Sequence, residues 1–162
     1  LFTTALLDNV RAAGKARVVT VSSKSHYSAK DGIDYAAVRQ PTRSFTGLPE
    51  YAVSKLANVL FTAELARRLE GTGVTTYAVH PGVIASDIWK RIPGIVRPLA
   101  KAFMKSNEEG AQTSIYCATD DAAGSESGQY YADCKAQKPS RIARDPDAAK
   151  KLWQASEEMC AR

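Results

Sequence analysis

Tyr51 and Lys55 stand one helical turn apart in Tyr51-Ala-Val-Ser-Lys55, and an apolar run upstream of them ends in Ser22-Ser23. A tyrosine moves a proton near neutral pH only where something stabilises its phenolate, and a lysine four residues on, along the same helix face, does that. A free phenol ionises near pH 10, about three units too high for work near neutrality. An ammonium about 4 Å away at an effective dielectric of about 20 contributes about 4 kcal/mol, equivalent to about three units, with desolvation opposing part of it. A serine at a strand end can hold a substrate oxygen. Acid/base, its tuning cation and an oxygen-holding hydroxyl, met in workable order, point to an oxidoreductase.

Each of these residues has a plainer account when taken alone. Tyr51 could be a helix-start tyrosine, Lys55 a surface lysine, and Ser23 a strand-end hydroxyl closing a local turn. Tyr131 and Lys135 repeat the same spacing after a short Gln-Tyr-Tyr run, but no polar strand end precedes them, and they read as a chance match. Context separates the first pair: strand, serine pair, loop, tyrosine, helix. His80 invites a proton-relay role, yet Tyr51 already fills the acid/base position, so a hydrogen-bonded structural histidine is the better reading.

The elements that must position these groups follow from pattern. Residues 1–13 read as a helix stopped by Gly14. Arg17-Val-Val-Thr-Val-Ser22 is β-branched and uninterrupted, the mark of a buried parallel strand. Residues 24–49 are polar and broken by Gly32, Pro41, Gly47 and Pro49, a length of loop that usually carries function or mobility. Residues 50–69 are helical, with Val53, Leu56, Leu60 and Leu65, flanked by Ala57 and Phe61, on one apolar face. Val74 to Val79 is the next strand and runs into His80-Pro81-Gly82. Strand, long helix, strand implies parallel pairing. Ser106-Asn-Glu-Glu109 is a capping-box signal for a helix to about residue 118. Residues 128–132 read as a third strand, and Asp145-Pro146-Asp147 starts a last helix. The whole fits an α/β fold: part of a doubly wound parallel sheet with helices on both faces.

Bulk properties exclude several classes. With 44% apolar and 24% charged residues the composition is that of a globular domain. No run of eighteen apolar residues occurs, and the apolar start lacks the cationic leader of a signal peptide. Cys117, Cys134 and Cys160 cannot all pair and fit neither a disulfide framework nor a zinc site, so no metal is expected. The net charge of +5 is concentrated in residues 89–105, where Lys90, Arg91, Arg97, Lys101 and Lys105 interleave with Trp89, Ile92, Ile95, Val96, Leu99, Phe103 and Met104. A basic amphipathic segment suits a membrane surface or an apolar substrate entrance, and equally a solvated helix pair packed on the core. Nucleic acid is not expected, because no recognised binding motif accompanies the charge.

Val18-Val-Thr-Val-Ser-Ser23, Tyr51-Ala-Val-Ser-Lys-Leu-Ala-Asn58 and His80-Pro-Gly-Val-Ile84 together resemble the second half of a short-chain dehydrogenase/reductase. Leu56-Ala-Asn-Val-Leu-Phe-Thr62, Gly73-Val-Thr-Thr-Tyr77, Gly110-Ala-Gln-Thr-Ser114 and the Tyr131-Ala-Asp-Cys134 region narrow the likeness to the retinol dehydrogenase branch. The resemblance implies catalytic roles for Tyr51, Lys55 and Ser23, with Ser22 the lesser serine candidate. It implies that Tyr51, Lys55, Pro81, Gly82, Val83, Ile84 and Ser86 meet the cofactor, Lys55 through the nicotinamide ribose and the Val83–Ile84 backbone through the carboxamide. The cofactor would be NADP or NAD, with NADP preferred, and the substrate a small apolar carbonyl or alcohol such as a retinoid or lipid aldehyde. The resemblance further implies a homodimer face on the long helix and a place at the cytosolic face of the endoplasmic reticulum membrane.

The family's Gly-x-x-x-Gly-x-Gly turn, which brings the pyrophosphate to a helix start, is absent, as are its Asn-Asn-Ala-Gly stretch and its catalytic asparagine. Residues 1–162 therefore read as the carboxyl-terminal part of a single NAD(P)-binding Rossmann-type domain. A fragment of this kind serving only as a non-catalytic binding module is the competing expectation, and a peripheral membrane protein using residues 89–105 is a third.

Overall fold

The computed structural model describes residues 2–83 and 105–161. The amino-terminal helical stretch is two short helices, α1 (Phe2–Ala5) and α2 (Leu7–Ala12), separated at Leu6. Strand β1 (Ala16–Val21) follows, then a 3-10 turn over Lys24–Ser28 and an irregular stretch to the long helix α3 (Leu48–Arg68). Strand β2 (Val74–His80) leads into the sequence around residues 84–104, and helix α4 (Asn107–Thr119) brings the chain back to the sheet. Strands β3 (Gln129–Ala132) and β4 (Lys135–Gln137) precede helix α5 (Pro146–Cys160).

The sheet order is β1-β2-β3-β4. The first three strands are parallel: Ala16 to Val21 pair with Val74 to Val79, and Tyr77 to His80 pair with Gln129 to Ala132. Their carboxyl ends therefore lie along one edge of the sheet, where ligands of open α/β sheets bind. The fourth strand, which pattern reading does not mark, pairs antiparallel with β3. The hairpin turns through Asp133 and Cys134, both at positive φ (52° and 57°), with neither glycine nor asparagine to advertise it. The sheet is thus mixed, a parallel core with one antiparallel edge.

Side-chain alternation divides the interior into two layers. Ala78 and Tyr130 face α3 and α5, where they pack with Leu56, Val59, Leu60 and Ala149. Tyr77, Val79 and Tyr131 face the other way, onto Cys117 of α4. Full burial of Leu56, Leu60 and Leu65, each at most 1% exposed, stabilises α3 on the sheet by roughly 1.5–3 kcal/mol per side chain. At the far end of α3, Phe61 stacks on Trp153 of α5 at 5.7 Å. The buried Glu64 there accepts hydrogen bonds from Arg67 and Arg68.

Caps set the helix starts. Ser106 and Glu109 form both halves of the expected capping box, and the Asp145 carboxylate accepts from the backbone of Asp147 and Ala148. Strand β1 departs from expectation in one respect. It is parallel but only half-buried, and Val21 is 50% exposed, because among the described residues it pairs on one side alone, with β2. No helix among the described residues is long and apolar enough to cross a membrane.

Candidate active site

The chain leaves β1 through two serines whose hydroxyls do different work. Ser22 continues the ladder, donating its backbone N–H to Val79 O at 2.7 Å, and its buried hydroxyl donates to Lys55 O at 2.7 Å. That bond fastens the strand end to the middle of α3 and commits the Ser22 proton. Ser23 is half-buried and extended (φ −159°, ψ 154°) as the cap of the 3-10 turn. Its hydroxyl accepts from Ser25 N and donates to Ser25 Oγ, both at 3.2 Å. Those are the local turn bonds that a strand-end serine makes.

The last carbonyl of β1, Val21 O, accepts from two α3 side chains: Asn58 Nδ2 at 2.9 Å and Lys55 Nζ at 3.4 Å. Lys55 therefore sits beside the strand end that carries Ser22 and Ser23. Its ammonium also lies 5.3 Å from the centroid of the Tyr51 ring, one helical turn earlier. Asn58 is a residue to which pattern reading assigns no role. Its signal is the spacing Lys55 to Asn58, three residues along one helix face, which turns both side chains toward β1.

Tyr51 occupies the first turn of α3, half-buried, with its N–H donating to Gly47 O at 2.9 Å. The turn before it is held by Glu50, whose carboxylate accepts from the backbone of Arg43 and Ser44 and from the Ser44 hydroxyl. The Ser44 hydroxyl is the main reason that the Glu50 carboxyl falls to about 2. The polar loop is thereby tied to the helix start that presents Tyr51.

At the end of β2, His80 is buried and its Nδ1 accepts from Lys24 N at 3.3 Å. Burial above all, then the neighbouring Lys24, holds its pKa below the usual histidine value, as suits a neutral structural group. The chain then turns at Pro81-Gly82-Val83. Gly82 has φ +89°, and a Cβ there would come within 2.7 Å of Lys105 Cδ. Lys105 lies across the glycine, donates its N–H to Val83 O at 2.9 Å, and pairs through Nζ with Asp133 at 2.5 Å. The positive φ favours glycine there, and a Cβ would also make the Lys105 side chain shift.

Ser22, Ser23, Lys55, Tyr51, His80, Pro81, Gly82 and Val83 are thus gathered around the carboxyl edge of the parallel strands. Ile84 and Ser86 lie outside the described residues, as does the basic segment 89–105 except for Lys105. A cavity of about 900 Å³ sits at the opposite, amino edge, lined by Arg17, Gly73 and Val74 among others, and shares none of these groups.

The model of the short chain dehydrogenase family matches residues 1–94. The chain is 43% identical over 162 residues to retinol dehydrogenase 12 of Homo sapiens, covering 98% of this chain and 50% of that protein. It is 41% identical over 165 residues to dehydrogenase/reductase SDR family member 13 of Bos taurus, with 98% and 43% covered. To retinol dehydrogenase 14 of Homo sapiens it is 42% identical over 166 residues, with 98% and 48% covered. The chain spans about half the length of these relatives. Among solved structures, an uncharacterized protein from Mycobacterium Paratuberculosis superposes with a TM-score of 0.61 at 30% identity, covering 89% of this chain and 50% of that one. A short chain dehydrogenase/reductase from Burkholderia thailandensis superposes at 0.57 and 17% identity over 99% and 56%, which speaks to the fold alone.

Proposed function

This chain belongs to the short-chain dehydrogenase family, and on that premise we propose that it carries the reacting half of an NAD(P)-dependent oxidoreductase acting on an apolar carbonyl or alcohol. One observation carries the reading: Lys55 bridges the Tyr51 ring and the end of β1, where the two serines leave the sheet. The residues present fit the nicotinamide end of a dinucleotide. A lysine ammonium, a serine hydroxyl and a glycine turn at positive φ face the carboxyl edge of a parallel sheet. The sequence holds no glycine-rich pyrophosphate turn, so no phosphate grip is assigned to these residues.

When bound, the dihydronicotinamide supplies the hydride. In the reducing direction Ser23 would give up its bond to Ser25 and donate to the substrate oxygen. Tyr51 would pass its phenolic proton to that oxygen as it gains charge, and Lys55 would stabilise the phenolate left behind until solvent reprotonates it. In the oxidising direction the same groups run the proton the other way. Lys55 and the Pro81-Gly82-Val83 turn would hold the ribose and ring in place. Residues 1–162 would be the carboxyl-terminal part of one dinucleotide-binding domain.

The substrate class is drawn from the relatives named retinol dehydrogenases: a retinoid or another lipid aldehyde, with NADP(H) the preferred cofactor. The test is reduction of retinaldehyde by the native protein with NADPH and with NADH. Turnover that survives Tyr51→Phe removes Tyr51 from the mechanism. A second reading is a non-catalytic binding module, favoured by the lack of a Gly-x-x-x-Gly-x-Gly turn within residues 1–162. A native protein that binds no dinucleotide in calorimetry would support it.

A further inference from the structure

We propose that His26 and His80 are positioning residues that clamp the single peptide unit between Ser23 and Lys24 from its two ends and so fix the direction of the Ser23 side chain. The inference deepens, and rests on, the assignment of Ser23 to the substrate oxygen. The geometry is specific. Ser23 O accepts from His26 Nδ1 at 2.7 Å and from the His26 backbone N–H at 3.1 Å, and the N–H of the same peptide group, on Lys24, donates to His80 Nδ1 at 3.3 Å. A carbonyl can only accept and an amide N–H can only donate, so the two rings must be opposite tautomers: His26 protonated on Nδ1, His80 on Nε2.

His26 is the more constrained of the two. Its ring is fully buried and its Nε2 accepts from Ser140 N at 3.2 Å, which independently demands the same tautomer. The ring is packed between Tyr27 at 4.0 Å and the edge of Tyr130 at 4.8 Å. Tyr27 adds a second tie to the segment after β4, donating its hydroxyl to Lys138 O at 2.7 Å. The 3-10 turn that carries Ser23 is therefore anchored to β2 on one flank and to residues 138–140 on the other. The charged and titratable neighbours of His80 are Lys24, Asp133, Lys105 and His26, and the rings of Tyr27 and Tyr130 pack on His26. Burial lowers the pKa of both histidines, consistent with neutral rings that can each accept one bond. Tying a peptide plane at both its C=O and its N–H fixes the backbone torsions on either side of it. That is the precision a hydroxyl aimed at a reacting oxygen needs.

The test separates the two contacts of His26 in the native protein. His26→Asn places an amide donor where Nδ1 stands and keeps the bond to Ser23 O. His26→Gln reaches Ser140 but loses the side-chain bond to Ser23 O, which leaves that carbonyl the backbone N–H of residue 26 alone. Both give up the ring packing and should lose similar thermal stability. The clamp predicts that His26→Asn keeps kcat within about threefold, while His26→Gln drops it about tenfold to a hundredfold with the cofactor KM unmoved. A kcat that falls equally in both variants overturns the inference. Long-range 15N spectra of the wild-type rings must show the two opposite tautomers, and matching tautomers overturn it as well. A wild-type protein without turnover would strike the functional reading. The clamp would then be judged by amide exchange at Lys24, whose N–H donates to His80: protection in wild type that is lost in His80→Phe, which keeps a ring but no acceptor, supports it, and equal exchange in both overturns it.

Discussion

Two tyrosine–lysine pairs of identical spacing sit in this molecule, and only one brings its members together. Tyr51 and Lys55 are one turn apart on α3, which stacks their side chains on one face and leaves the ammonium 5.3 Å from the ring. Tyr131 and Lys135 flank the β3–β4 hairpin. There Lys135 is paired with Ala132 and Tyr131 with Ala136, so the lysine and the tyrosine lie on opposite faces of the sheet. Tyr131 is buried, crosses Tyr77 at 81° and donates to the Glu126 carboxylate at 3.2 Å. Burial, with that carboxylate, pushes its phenol up to about 12, away from any work near neutrality. Spacing becomes chemistry only through the element that carries it.

The contrast is broken most decisively at the tyrosines. In the native protein, Tyr51→Phe is expected to lower kcat by about a thousandfold with an unchanged melting temperature. Tyr131→Phe should leave kcat alone and cost about 1–2 kcal/mol of stability, from the lost bond to Glu126. The reverse pattern, in steady-state kinetics and thermal melts, would exchange the two assignments. At the lysines, Lys55→Met should lower kcat about a hundredfold, through a phenolate left without its cation. Lys135→Met, on an exposed strand, should be silent. A smaller effect belongs to the turn behind the first pair. Gly82→Ala adds a Cβ at φ +89° against Lys105 and should raise the cofactor KM about tenfold, equivalent to about 1.4 kcal/mol. An unchanged KM would detach the Pro81-Gly82-Val83 turn from the cofactor.

Much of the fold was legible because local signals and tertiary demand coincide. The Ser106–Glu109 box, the Asp145-Pro146 start and the β-branched runs of β1 and β2 each state their element outright. Strand β4 was not legible, since its turn rests on Asp133 and Cys134 rather than on a residue that prefers positive φ. Tertiary contacts hold it: Cys134 N donates to Thr113 Oγ1, and Asp133 pairs with Lys105. The half-burial of β1 was invisible too, because hydrophobicity cannot say how many neighbours a strand has. In the site, residue type and spacing singled out Tyr51, Lys55 and Ser23, which the fold brings to one edge of the sheet. They could not divide labour between Ser22 and Ser23, which depends on which hydroxyl meets Lys55 O. Nor could they find His26, whose partners at Ser23 and Ser140 are three and 114 residues away.

The least dramatic test concerns the second tyrosine and alkali. In the folded protein the Tyr131 phenol is raised to about 12, whereas in the unfolded chain it returns to about 10. The folded state therefore holds its proton longer. Its contribution to stability is complete below about pH 10 and drains away as pH climbs toward about 12, because the unfolded state gains by ionising first. At pH 11 the loss attributable to this one group is about 1 kcal/mol. Tyr131→Phe removes the ionisation from both states, so its denaturation midpoint should decline less steeply than that of wild type between pH 9 and 11, even though it starts lower. Tyr130, which burial also raises, is present in both proteins and cancels in the difference. Parallel decline of the two curves would mean that Tyr131 titrates as freely as an exposed phenol. The distinction between a buried structural tyrosine and a reacting one would then have to rest on Tyr51 alone.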